Sequence, residues 1–161
     1  MVDIRTVAAL RRAIDRAIGS HRCILAKIDS ANALLLGFGD CGASPERQSD
    51  FSSGCAHELR THFANWSLES DLGRVDSRSD RPSALENAVL RLVGMNTKEW
   101  HFDGSPTRLC LSFEAGEHLY VEAYSIRELK SSSRDSEAWE IVSPEGAHSG
   151  VACSGEILIS S

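Results

Sequence analysis

Two segments of the chain carry apolar residues at helical spacing, and much of the remainder alternates with a period of two. In the first segment Ile4, Val7, Leu10, Ile14 and Ile18 share one helical face. Asp3 stands where an N-cap accepts amide hydrogens, and Gly19 where a left-handed residue stops the last turn. In the second segment Leu85, Val89, Leu92 and Val93 make the stripe, Pro82 suits the first turn and Gly94 supplies the stop. Alternation predicts strands after each helix. Leu109, Leu111 and Phe113 point one way, the run Glu114 to His118 turns around Gly116, and Leu119, Val121 and Ala123 return on the same face.

The two patterns are related by an internal repeat. "LRRAIDRAIG" from Leu10 aligns without gaps on "LENAVLRLVG" from Leu85, an offset of 75, and the same offset sets "LLLGF" at Leu34 on "LCLSF" at Leu109. Downstream, "ELRTHF" at Glu58 falls on "HLYVEA" at His118, and "ANWSLES" at Ala64 resembles "EAWEIVS" at Glu137. The first copy carries extra residues between Cys41 and His57, the second between Ser125 and Ser136. Each copy, approximately 1–80 and 81–161, reads as a helix followed by an antiparallel β-meander. The prediction is one α+β domain made of two pseudo-equivalent units, with helices packed on the apolar sheet faces. Trp66 and Trp139 occupy equivalent alternations, which argues for core packing of a large residue.

The repeat also decides the reading of "LLLGFGDCG", Leu34 to Gly42. Gly37 and Gly39 fall opposite Ser112 and Glu114, so they belong to a strand end. A phosphate loop needs a helix directly after its glycines, and no helical pattern follows these.

Composition narrows the classes. The 161 residues are 42% hydrophobic and 25% charged, ordinary for a globular chain, and no apolar run is long enough to span a bilayer. The first residues carry charge throughout, which predicts no signal peptide and a cytoplasmic protein. Five cysteines without a C-x-x-C pair argue against a disulfide framework. The net charge of −6 disfavours nucleic acid as a direct ligand and favours a basic protein partner.

Cys41, Cys55, His57 and His62 have the chemistry of zinc ligands, and Cys55 with His57 that of a nucleophilic pair, so a small enzyme or zinc-binding domain is one functional reading. Their spacing is unlike that of structural zinc sites, and the insertion reads more naturally as a Ser-rich surface loop. Neither a metal, a cofactor nor a catalytic residue is predicted. The other reading uses the strand after Gly116. If Leu119, Val121 and Ala123 face the core, then His118, Tyr120, Glu122 and Tyr124 face away, joined across the hairpin by Glu114 and Arg108. Two tyrosines around a carboxylate have the character of a protein-binding surface, unless a loop or helix covers them.

The second copy carries a family resemblance. "LCLSFEAGEHLYVEAYS", "EAWEIVSPEG" and "SGEILIS", within residues 107–159, resemble small bacterial domains of unknown function whose strands read Leu-x-Leu-x-Phe-x-x-Gly-x-x-Leu-x-Val, then Glu-Ala-Trp-Glu and Pro-x-Gly, then Gly-Gly-Glu-Leu. The overall type is similar to compact acidic immunity proteins that bacteria pair with toxins. The resemblance implies binding and neutralisation of a cognate toxin, such as a cationic nuclease, by covering its active site. It carries over no catalytic residues, and it leaves oligomeric state open.

Overall fold

The computed structural model describes residues 4–19, 21–41, 55–130 and 135–160. In chain order these form α1 (Ile4–Ile14), continued by a π-helical turn (Asp15–Gly19), then β1 (Cys23–Ile28), β2 (Leu34–Cys41), β3 (Cys55–Thr61), β4 (Ala64–Ser70) and β5 (Gly73–Asp76). There follow α2 (Pro82–Leu90), β6 (Thr97–Phe102), β7 (Arg108–Phe113), β8 (His118–Ala123), α3 (Ile126–Leu129), β9 (Glu137–Val142), β10 (His148–Ala152) and β11 (Ile157–Ser160). All strand pairings are antiparallel, so the fold is α+β. None of the described helices is long and apolar enough to cross a membrane.

The helical stripes bury most of what their spacing predicts. Leu10, Ile14 and Ile18 are inside, whereas Ile4 is 84% exposed, so the stripe effectively begins at Val7. Asp3, the expected cap, lies outside the described residues. Gly19 does not take the left-handed stop, for it is absent from the residues with positive φ. The helix instead widens into its π turn, where Asp15 accepts a 2.7 Å bond from the Trp100 indole and Ala17 and Ile18 both reach the core. In α2, Pro82 does open the first turn and Leu85, Ala88, Val89 and Leu92 are buried, but Val93 turns out to solvent. Gly94 adopts φ 94° and donates to the Cys23 carbonyl at 2.7 Å, tying the turn after α2 to the edge of β1.

The strands form a six-stranded sheet, ordered β1-β2-β3-β9-β10-β11, and a five-stranded sheet, ordered β5-β4-β8-β7-β6. The first half runs helix, three-stranded meander and two strands, and the second runs helix, three-stranded meander, α3 and three strands. Neither half keeps to one sheet. The meander β1–β3 receives β9–β11 from the second half, and the meander β6–β8 receives β4–β5 from the first. Only His62 and Phe63 separate β3 from β4, and at this corner the chain passes directly from one sheet to the other.

The inner faces interdigitate into one core. Leu34, Leu36 and Phe38 of β2 and their counterparts Leu109, Leu111 and Phe113 of β7 are all at most 1% exposed. The helices close the open sides: α1 and its π turn pack against β10, β11 and β6, while α2 packs against β1 and β5. "GFGD" lies within β2, as expected of a strand end rather than a phosphate loop.

Two tryptophans pin the sheets. Trp66 on β4 donates its indole N–H to the Asn32 carbonyl at 2.7 Å, in the β1–β2 turn. Trp139 on β9 donates to the Pro106 carbonyl at 3.0 Å, in the β6–β7 turn. Each bond joins one sheet to the hairpin turn of the other, and both rings are buried, as their shared alternation predicts. Close approach also governs Gly150 of β10, where an added Cβ would lie 2.5 Å from the Trp139 carbonyl oxygen and 2.9 Å from Glu140 Cβ.

Two stability measurements test this packing. Gly150→Ala should destabilise by about 1–3 kcal/mol in denaturant unfolding, the cost of overpacking against backbone that cannot yield. Trp139→Phe keeps an aromatic ring but leaves a void as well as a Pro106 carbonyl without its donor, and should cost at least about 1–3 kcal/mol. A neutral outcome for either would mean the sheets tolerate more separation there than the geometry implies.

Candidate functional site

The outward face of the five-stranded sheet is built by period-two alternation. On β8, Leu119 and Val121 are buried while His118, Tyr120 and Glu122 are exposed, so the strand divides its residues as the sequence predicts. Register then sets three rows across the sheet. Glu99, Ser112, His118, Glu69 and Arg74 form one; His101, Cys110, Tyr120, Ser67 and Asp76 the next; Arg108, Glu122 and Asn65 the third. Tyr120 stands on the central strand of the middle row and is 36% exposed.

Between β8 and β4–β5 lies a groove of about 320 Å³, bordered by Tyr120, Glu122, Glu69, Arg74, Asp76 and Arg78. Partial burial raises the Tyr120 hydroxyl above its ordinary range, and its bond to Glu69 adds to the shift. Burial works to raise Asp76 as well, but bonds from the Arg78 side chain and backbone, with the Arg74 charge, hold its carboxyl below the usual value. Arg108 reaches Glu122 at 3.2 Å across the strand pair, and with both side chains more than half exposed this ion pair contributes little. Ser112 and His118 share a 3.0 Å hydrogen bond.

The expected residues are only partly gathered. His118, Tyr120 and Glu122 share the face, and Glu114 lies in the turn at its end, where Asn96 donates to its carboxylate at 3.4 Å. Tyr124 lies one residue past the strand's end, in register with Phe63 at the margin of the face. The strand ends at Ala123, the Tyr124 amide donates to the Phe63 carbonyl at 2.9 Å, and its half-buried ring meets Phe63 edge-on at 6.1 Å. Tyr124 borders an adjoining depression with Asn65, Arg78 and Glu128. Sequence reasoning missed Asn65, Glu69, Arg74, Asp76 and Arg78, because they come from the first half. Their signal was the polar alternation Asn65, Ser67, Glu69 in "NWSLES", which becomes relevant only once β4 pairs with β8.

The proposed zinc set is not assembled among the described residues. Backbone pairing sets Cys41 opposite Cys55, but their side chains and residues 42–54 lie outside the description. His57 stacks on His21, ring centroids 4.9 Å apart. His62 sits at the corner after β3, not within a strand, with Nε2 at 3.3 Å from both Glu137 and Glu140 of β9. Burial pushes the Cys23 thiol up to about 12 and raises Cys110 and Cys153, so these thiols stay protonated and unreactive.

His62, Glu137 and Glu140 form the one trio of potential metal ligands among the described residues. Hydrogen bonds that His62 donates to Glu137 and then Glu140 raise the imidazole to about 9, so at neutral pH it is a cation held between two carboxylates. Glu140 is buried, which works to raise it, yet hydrogen bonds from His62 and His148 hold it well below the ordinary carboxylate value. Arg60 completes the cluster, 2.6 Å from Glu58 and 3.7 Å from Glu140. The arrangement ties the β3–β4 corner to β9.

A group raised in the folded state stabilises fully below its unfolded pKa and loses that contribution as pH climbs through its folded value. The His62 contribution should therefore be whole below 6.5 and vanish through about 9. Glu140 is depressed, so its contribution is present above 4.5 and lost as acid is added beyond that. Thermal melts of His62→Gln should lie below the parent protein at mildly acidic pH and converge with it above about 9. A gap that persists in alkali would assign His62 a packing role instead.

No family model, no curated protein and no solved structure matches this chain.

Proposed function

We propose that this chain is a stoichiometric binding protein of the immunity type, acting in the cytoplasm without catalysis, which takes a basic protein toxin against the open face of its five-stranded sheet. The observation that carries the reading is the setting of Tyr120. It is a partly exposed aromatic on the central strand of a broad sheet face, between the carboxylates of Glu69 and Glu122. A tyrosine offers large contact area for little lost entropy, and such residues dominate the energy of protein interfaces when ringed by polar contacts that exclude water.

The charge balance supports the same reading. Net charge is −6, and Glu99 and Glu114 add exposed carboxylates at the end of the face where β7 turns into β8. Opposite charge on the partner would speed encounter and fix its orientation more than it would tighten the complex. Enzyme or zinc chemistry at the Cys41-Cys55-His57-His62 set finds less support, since the rings of His57 and His62 are engaged with different partners.

The test begins with the product of the neighbouring gene, mixed with this chain and measured by calorimetry. A complex of one to one is expected. Tyr120→Ala should weaken it by about 2 kcal/mol, the size of an aromatic hot spot, with little change in melting temperature. Glu122→Lys should chiefly slow association and flatten its dependence on salt. If both variants bind as the parent does, the sheet face is not the interface. If Tyr120→Ala unfolds the protein, the ring is structural.

A further inference from the structure

The six-stranded sheet holds a second cleft, unrelated to the face assigned above. It has a volume of about 490 Å³ and opens where the end of α1 and its π turn meet β3, β9 and β10. Its wall is apolar: Ala13 comes from α1, Ile141 from β9 and Ala147 from the turn before β10. Its rim is basic, with Arg16 on the π turn, His21 just after it and His57 on β3. Clefts of this size, largely apolar with a few convergent polar groups, are the usual form of small-molecule sites. Helical turns of the π type are rare and are found disproportionately at functional positions.

We infer that this cleft binds a small organic anion, its carboxylate or phosphate head held by Arg16, His21 and His57 and its apolar body lying on Ala13, Ile141 and Ala147. The head is specified by the groups that the rim brings together. The two imidazoles stack with centroids 4.9 Å apart and planes 28° from parallel, and Arg16 faces the same space. These three side chains converge on one opening and can each donate to an anion there, beside the hydroxyls of Ser143 and Ser149. Glu145 is the one carboxylate in the described lining, and being fully exposed it offsets the charge of Arg16 and the histidines only in part. Burial, the neighbouring His21 and the Arg16 charge all push His57 towards its neutral form, with Glu145 opposing them. An anion among these groups would reverse the balance, and the imidazoles would take up protons as it binds. The guanidinium supplies a forked pair of donors suited to either kind of head.

Calorimetric and NMR titrations with benzoate and with phenyl phosphate, against neutral benzyl alcohol, test the proposal in the intact protein. Saturable binding of at least one anion is expected, tighter as pH falls through the histidine range, with the histidine ring protons moving on titration. The comparison of benzoate with phenyl phosphate identifies the preferred head. Arg16→Gln should weaken binding about tenfold or more, the size of a lost charge-assisted hydrogen bond, without lowering the melting temperature. Glu145→Gln should tighten it, because the competing carboxylate is gone. The inference fails if neither anion saturates, if benzyl alcohol binds equally well, or if both variants bind like the parent. None of these outcomes bears on Tyr120, so the two sites stand or fall separately.

Discussion

The corner at His62 and Phe63 is the constraint on which the rest of the architecture depends. A two-residue link would ordinarily close a hairpin, yet here β3 ends in one sheet and β4 begins in the other. Each sheet is then completed by strands of the opposite half, through the β3–β9 and β4–β8 ladders. The corner is held by its own chemistry. His62 and Phe63 donate their amides to the Ala138 and Glu137 carbonyls at 2.8 and 3.1 Å, while the His62 ring lies between the carboxylates of Glu137 and Glu140. Trp66 and Trp139 fasten the layers on either side of it.

The two sheets treat their outer faces differently. On the six-stranded sheet, Glu58 and Glu140 are almost wholly buried and are compensated by Arg60, His62 and His148. Breaking one partner of such a group leaves a charge without its counterion, which costs far more than an exposed pair would. On the five-stranded sheet Arg108 and Glu122 pair in the open, whereas Asp76 is partly buried and held by bonds from Arg78. Exposed pairs contribute little to stability and exchange partners easily. The first face thus carries a buried, mutually compensated charge cluster, and the second a more open one.

Strand exchange also explains how the surfaces are composed. The face around Tyr120 draws Asn65, Glu69, Arg74 and Asp76 from the first half and Arg108, His118 and Glu122 from the second. The cleft at Arg16 likewise combines α1 and β3 with β9 and β10. Neither surface exists within one half, so a change at either site is felt across ladders that join residues far apart in sequence.

Periodicity determined what depends on neighbours along the chain. The helical stripes at Leu10 and Leu85, the alternation that buries Leu119 and Val121 while exposing Tyr120 and Glu122, the strand character of "GFGD" and the interior position of both tryptophans were legible, because spacing alone assigns a side chain to a face. Several features were not. Gly19 carries no mark of the π turn, whose geometry rests on Asp15 meeting Trp100 across the fold. Tyr124 continues the alternation and bonds to Phe63 in ladder register, yet its half-buried ring borders an adjoining depression rather than the groove at Tyr120. His57 and His62 stand close in sequence yet serve different clusters, because the corner lies beside one and the His21 ring beside the other. Local pattern determines which way a residue points, whereas the strand it comes to lie against is a pairing between distant segments, and only the folded chain decides that.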